Sequence, residues 1–506
     1  MALAEGYYMG IDIGTHESKG VIIDSRCRVV AQSFTKHTLD NPQPGWFEHD
    51  AEKIWWNDFC ILSKKLIAEA GLDPIEIRCV GASALGCDCV PVDEMCRPLH
   101  KAILYGIDSR TSEESAYLNT FFQSRGLHLP SPLCSSSIAP KILWFKRHYP
   151  QIHQNAHKFL TASSYLTAKL TGQFCMDQYL AASWSPLYEL DTLQVNEHLC
   201  DVCCRPEQLA DLRYATDIAG HVTSQASAET GLREGTPVLT GTGDSGAEAI
   251  SAGVFQPGDI MIQLGSTCFF IYYTDHIISD NRLWPGTFII PGSSCISAGT
   301  NTAGLLTQWY RDTQFPDLLQ AEQDGGENAY SMMSREIQAV PAGANGLITL
   351  PYFAGERTPI NDPLARGVIF GLQLYHNRTD MYKSALEGIG YSIAQHFDIL
   401  SQNGLPINKI IATGGGTKNP VWLQIIADML NREICIPKIT IGAAYGDAIM
   451  AALSSGAVSD WKEMDLIVEK GETIHPIAEN HQIYQRYQPI FNRLYDTTKN
   501  LMHTLA

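Results

Sequence analysis

Three short stretches of the chain carry residue types that could do chemistry. The first is GIDIGTHESKG, Gly10 to Gly20, which sets the carboxylate of Asp12, Gly14, the hydroxyl of Thr15 and the ammonium of Lys19 close together. Such a set can hold a phosphate and a hard cation. Gly14 lets the backbone come near an anion, Thr15 can donate from its backbone and its hydroxyl, and Lys19 adds positive charge. Asp12 is then free for a metal ion. A surface hairpin with a polar tip reads the same way, so the stretch alone leaves both meanings open. The second stretch is GTGDSG, Gly241 to Gly246. Asp244 within it is either a general base or a helix N-cap. As a base for phosphoryl transfer it needs no raised pKa, because the loose transition state asks chiefly for positioning of the attacking hydroxyl. The same string matches G-x-G-x-x-G, the fingerprint of a nicotinamide or flavin oxidoreductase. That fingerprint wants a full helix, a second parallel strand and then an acidic residue, whereas here the helix is short and Asp259 precedes its strand. We read it as a decoy. In the third stretch Thr413 runs into Gly414, Gly415 and Gly416, and Asn419-Pro420 then opens a helix. A sharp turn would need one such glycine or two, so the third points to a ligand lying against the backbone.

The elements around these stretches follow from apolar spacing. Tyr7 to Ile13, Val21 to Ile23 and Val29 to Phe34 read as strands, so the first glycine turn joins strand to strand. A P-loop would need a helix after the turn. Ile260 to Leu264, the turn Gly265-Ser266-Thr267 and Cys268 to Tyr273 repeat the same unit in the second half, as a duplicated plan would. Arg78 to Ser83 and Lys409 to Thr413 read as strands, and Trp55 to Glu69 and Thr379 to Leu400 as helices, the last carrying Glu387 as a paired structural carboxylate. The expected class is α/β with two domains and a ligand cleft between them. The expected divisions are 5–252, carrying the first glycine hairpin; 253–478, carrying the second; and a helical tail over 479–506. The tail could pack on the body or on a second subunit, with the body preferred and a homodimer kept open.

Composition narrows the class. A chain of 506 residues is too long for one core. A formal charge of −18 argues against a nucleic-acid or anionic-membrane partner. No run of eighteen apolar residues and no signal-peptide pattern is present, so a cytoplasmic location is expected. The fourteen cysteines are scattered, and Cys200, Cys203 and Cys204 lack a second ligand pair at zinc spacing.

In order along the chain stand GIDIGTHESKG, PKILW (Pro140 to Trp144), GTGDSG, LGSTC around Ser266, AGLLTQWYRD (Ala303 to Asp312), PYFAGERTP (Pro351 to Pro359), EGIGYSI (Glu387 to Ile393) and TGGGTKNPVW (Thr413 to Trp422). With these pieces the chain resembles the FGGY carbohydrate kinases over nearly its whole length, and among them the xylulokinases most. The resemblance implies two actin-like, ribonuclease H-like domains, with ATP mainly on the second, sugar mainly on the first, and Mg2+ bridging the phosphates. Carried onto matching positions, Asp12 and Asp244 would serve the metal, and Gly14, Thr15 and Lys19 would face the β- and γ-phosphates. Gly265, Ser266 and Thr267 would form a second phosphate turn. Gly304 and Gln308 would contact the nucleotide, and Gly414, Gly415 and Asn419 would lie near the adenosine. Asp244 would take the proton from a sugar hydroxyl.

For the sugar, the resemblance places Asp108 and Arg110 of YGIDSR beside it, together with Asp244 and Ser245; a surface ion pair is the competing reading of Asp108 and Arg110. The chain departs from the xylulokinase pattern at three places. Leu85-Gly86-Cys87-Asp88 replaces a Gln-Met-His-Gly run, Ser245 replaces an amide residue, and Ser163-Ser164 replaces Lys-Asp before Tyr165. The expected activity is therefore ATP-dependent phosphorylation of a small sugar, a ketopentose such as xylulose. Ribulose, erythritol, gluconate and glycerol stand as alternative substrates, and a sugar-sensing protein that has lost catalysis as an alternative class.

Overall fold

The computed structural model describes residues 6–127, 129, 132–190, 192–276, 278 and 280–505. The chain forms two compact units. The first comprises residues 1–255, 286–295 and 441–468, and the second 256–285, 296–440 and 469–506.

The first unit is built on a seven-stranded mixed sheet. Its central strand, Tyr7–Ile13, pairs antiparallel with Glu17–Asp24 across the first glycine turn and parallel with Ile77–Ala84. Val29–Lys36 extends the sheet beyond the hairpin. Pro237–Leu239 and Thr242–Gly243 both run parallel to Ile77–Ala84, so the second chemical stretch leaves the sheet at the same end as the first turn. Met9, Ile11, Ile13, Val80 and Ala82 form the buried core of these strands. The helix Ala443–Ser454 lies on this sheet and against the helix Asp244–Ala252. Gly446 makes that approach possible, because a Cβ there would sit 1.9 Å from the carbonyl of Ala247.

The second unit repeats the plan. Asp259–Leu264 pairs antiparallel with Cys268–Thr274 and parallel with Lys409–Thr413, the pairing of a central strand with a hairpin partner and a crossover partner seen in the first unit. Ile434–Pro437 and Lys470–Ile474 continue the sheet. Arg378–Gln402 and Pro420–Leu430 pack together in its helical layer. The tail helix Ala478–Thr504 buries Tyr484, Phe491, Leu494, Tyr495 and Met502 on the body of its own unit.

One helix boundary differs from the sequence reading. Helical winding starts at Ala51, with a wide turn over Ala51–Trp56 capped by Asp50, and continues as Asn57–Ala70. Trp55 and Trp56 are buried in that first turn, which periodicity counted from Trp55 onward does not capture. Cys200, Cys203 and Cys204 are free thiols in the core of the first unit, and among the described residues no group of three His, Cys, Asp or Glu could hold a metal. Among them, too, no helix is long and apolar enough to cross a membrane.

Candidate active site

In the first unit the structure brings together Asp12, Gly14, Thr15, Lys19, Asp244 and Ser245. Asp12 is the penultimate residue of the central strand and stands directly across from Lys19 in the hairpin, on the same face. The turn between them is closed by Gly14 N donating to Glu17 O at 3.1 Å, and the Thr15 hydroxyl lies 3.0 Å from that of Tyr105. Lys19 is held loosely, 3.7 Å from Glu17, with its ammonium free to swing.

Asp12 accepts from the Ser83 hydroxyl at 2.9 Å, and the same hydroxyl lies 2.7 Å from Asp447. Burial pushes the Asp12 carboxyl up, while the Ser83 hydrogen bond and the Lys19 charge hold it down. Asp447, on the helix behind the sheet, is wholly buried, and burial pushes its carboxyl well up.

Asp244 is the first residue of its helix. The N-cap is Gly243, with no side-chain cap bond, so the N-cap reading of Asp244 does not hold. Its carboxylate instead takes the amide of its neighbour Ser245 at 2.6 Å. Desolvation, then the negative charges of Asp12 and Glu248, push Asp244 up to about 7. Glu248, one turn further along, is pushed to about 7 by burial and by Asp12. The charge of Asp12 thus acts on both Asp244 and Glu248, with Lys19 opposing it at Asp12 and Glu248. Mg2+ is commonly held by one or two carboxylates plus substrate phosphates, and the oxygens of Asp12 and Asp244 suit it.

The sequence reading missed Tyr179. Its hydroxyl lies 2.9 Å from that of Ser245, so the shorter side chain at position 245 is met by a tyrosine from another element. In the replaced run, Cys87 has φ +64°, and the buried Asp88 carboxyl takes the amide of Ala162 and is pushed up to about 8 by burial.

Asp108 and Arg110 form a pair of a different kind from the surface alternative. Both side chains have no solvent exposure, with the guanidinium 2.7 Å from Asp108 and 2.8 Å from Glu48. Arg110 lies 4.2 Å from the centre of the Trp46 ring and 5.2 Å from that of Trp144. Asp108 also takes the amide of Phe47 at 2.6 Å. The pair is therefore a buried brace with no side-chain atom open to a ligand, because distant tryptophans close over it.

In the second unit the structure brings Gly265, Ser266 and Thr267 against Gly304. The Gly265 carbonyl takes the Gly304 amide at 2.9 Å, and the Ser266 carbonyl takes the amides of Ala303 and Leu305. Gly304 thereby opens the helix Gly304–Gln314, on which Gln308 lies exposed one turn later. At the third stretch, Gly414 has φ +84°, and a Cβ there would meet the Leu264 backbone at 2.7 Å. A Cβ on Gly416 would meet the Leu264 side chain at 2.6 Å and the Trp422 ring at 2.8 Å. A Cβ on Gly415 would meet nothing within 4 Å. Folding thus accounts for two of the three glycines and leaves Gly415 as open backbone. Asn419 caps Pro420–Leu430 by accepting from Trp422 N at 3.1 Å, and its oxygen also takes the Ser334 hydroxyl at 2.9 Å.

Two family models describe this pair of units. The N-terminal domain of the FGGY family of carbohydrate kinases matches residues 7–251, and the C-terminal domain of the same family matches 260–455. The chain belongs to the FGGY family of carbohydrate kinases. It is 25% identical over 506 residues to the xylulose kinase of Bacillus subtilis (strain 168), with 98% of each chain covered. It is 24% identical over 500 residues to the gluconokinase of Bacillus licheniformis, covering 98% of this chain and 96% of that protein. The crystal structure of xylulose kinase from Rhodospirillum rubrum superposes with a TM-score of 0.90 at 27% identity, covering 98% of this chain and all of that one. The fold is accordingly the two-domain, actin-like fold of these kinases.

Proposed function

We propose that this carbohydrate kinase transfers the γ-phosphoryl group of ATP to a hydroxyl of a small sugar, and that the sugar is a ketopentose such as xylulose. The observation that carries the reading is the position of Asp244. It is a partly exposed carboxylate at the junction of strand and helix, beside Asp12 and next to the Ser245–Tyr179 pair. With its carboxyl pushed to about 7, Asp244 can accept a proton from an alcohol as the oxygen attacks phosphorus, and the Ser245 and Tyr179 hydroxyls can orient that alcohol. Thr15, Lys19 and the turn at Gly14 would receive the transferred phosphoryl group. The Gly265–Thr267 turn, Gly304, Gln308 and the open backbone at Gly415 would carry the nucleotide. Asp12 and Asp244 would hold Mg2+, which when bound neutralises the phosphate charge.

The substrate rests on the named relatives, and one observation favours keeping a second sugar in view. The run Leu85 to Asp88 lacks the histidine of the xylulokinase pattern, and the Ser245 hydroxyl is already engaged by Tyr179. Gluconate, ribulose, erythritol and glycerol therefore belong in the test. ADP formation is measured across these and xylulose for the wild type and Asp244→Asn. The proposal expects sugar-dependent turnover highest with xylulose, and its loss by at least ~10³-fold in the variant with nucleotide binding retained. Turnover with another of the sugars moves the substrate. Wild-type turnover in the variant removes Asp244 from its role, and no turnover with any sugar favours a sugar-sensing protein.

A further inference from the structure

The first phosphate turn is held from behind by two histidines that no motif marks. His37 follows the strand Val29–Lys36, and its backbone amide donates to the His16 carbonyl at 3.1 Å. Its Nδ1 lies 2.8 Å from Asp58 Oδ2, which also takes the Ser18 hydroxyl at 2.7 Å, and its Nε2 lies 3.2 Å from the Gly14 carbonyl. A carbonyl oxygen can only accept, so Nε2 is the donor to Gly14, and the ring bridges that carbonyl and Asp58. The His37 and Asp58 side chains are 6% and 5% exposed, so water does not compete for these bonds.

His49 completes the arrangement. Its Nδ1 lies 3.1 Å from the indole nitrogen of Trp55, a group that can only donate. The ring proton therefore sits on Nε2, which donates to the Thr15 carbonyl at 3.2 Å. Burial and the neighbouring His37 push the His49 imidazole down to about 4, in keeping with a neutral ring. The two rings meet edge to face at 5.1 Å.

In a trans peptide unit the carbonyl and the next amide point in opposite directions. Fixing the Gly14 carbonyl on His37 thus turns the Thr15 amide the other way, and fixing the Thr15 carbonyl on His49 does the same for the His16 amide. Neither amide has a protein partner among the described residues. Two adjacent unpaired amides on one side of a turn form an anion-binding concavity. We propose that His37 and His49 are positioning residues, which hold the Thr15 and His16 amides ready for the phosphate oxygens of the nucleotide. This inference rests on the kinase reading above.

The test compares the wild type, His37→Leu and His37→Gln. MgATP affinity is measured calorimetrically without sugar, sugar KM by turnover, and the ring tautomers by ¹⁵N NMR of the ligand-free protein. Loss of a buried hydrogen bond to the turn should weaken MgATP binding by ~10-fold in His37→Leu, leaving sugar KM within about twofold. His37→Gln keeps an amide donor in reach of the Gly14 carbonyl and should recover most of the loss. The spectra should show His49 protonated on Nε2 alone. A folded His37→Leu variant that binds MgATP like the wild type overturns the inference while leaving the kinase reading intact, as does a His49 ring protonated on Nδ1. A wild-type chain that binds no nucleotide overturns both.

Discussion

The Ser83 hydroxyl sits 2.9 Å from Oδ1 of Asp12. It also reaches Asp447 at 2.7 Å, and one hydroxyl proton cannot serve two carboxylates. Asp447 is wholly buried and burial pushes its carboxyl well up, which favours its uncharged form and leaves the Ser83 proton to Asp12. Asp12 is thus aimed by the Ser83 hydroxyl. Ser83→Ala should leave the carboxylate free to rotate and raise the Mg2+ concentration for half-maximal turnover by roughly fivefold, the equivalent of about 1 kcal/mol. A metal titration of turnover reads this, and an unchanged midpoint would show that Ser83 does not set Asp12.

The three glycines after Thr413 should separate by experiment. Gly416→Ala places a methyl group 2.6 Å from Leu264 Cβ and against the Trp422 ring, and Gly414→Ala meets both a left-handed backbone and the Leu264 carbonyl. Each should cost about 1 to 3 kcal/mol of stability. Gly415→Ala meets no protein atom, so its melting temperature should stay within a degree or two while KM for ATP rises several-fold. An unchanged KM would show that the open backbone at Gly415 does not face the nucleotide.

These contrasts show which features were legible in the sequence. Runs of apolar residues set out Tyr7–Ile13 and Lys409–Thr413, and capping chemistry set out Asn419-Pro420, because each is decided by neighbours a few residues away. Ser83, Asp447, Tyr179 and His37 act through partners brought up by the sheet and its helices, and carry no local signature. The same reason hides the return of residues 441–468 to the first unit, since a helix's apolar face does not say which sheet it will cover. Asp108 and Arg110 were visible as a pair, but their burial depends on Trp46 and Trp144, which only the fold brings near.

That burial makes a prediction about the pair. Asp108→Asn leaves the Arg110 charge in a site with no solvent contact, with Glu48 as its one remaining carboxylate. Removing one partner of a buried ion pair typically costs about 3 to 5 kcal/mol. The variant should therefore lose much of its stability in urea, and the folded fraction should keep a sugar KM near that of the wild type. A stable variant with a greatly raised sugar KM would instead return Asp108 to the sugar site.

Glu387 lies in the core of the second unit, where its Oε1 takes the Gly343 amide and the Tyr484 hydroxyl, both at 3.0 Å, while its Oε2 is buried without a partner. Burial, opposed by Lys383, pushes its carboxyl from the usual 4.5 up to about 7. The folded chain therefore holds this proton where the unfolded chain has released it, and stability falls as pH rises from about 4.5 to about 7. Above that window both states are ionised, and the loss is complete. Glu387→Gln can still accept from Gly343 and Tyr484 but cannot ionise. Its stability relative to the wild type should climb across the window by about 2 to 3 kcal/mol and then level off. Urea denaturation of both proteins at half-unit steps from pH 5 to pH 8 reads the difference. A constant offset would show that Glu387 is ionised in the fold throughout, with Lys383 as its counter-charge.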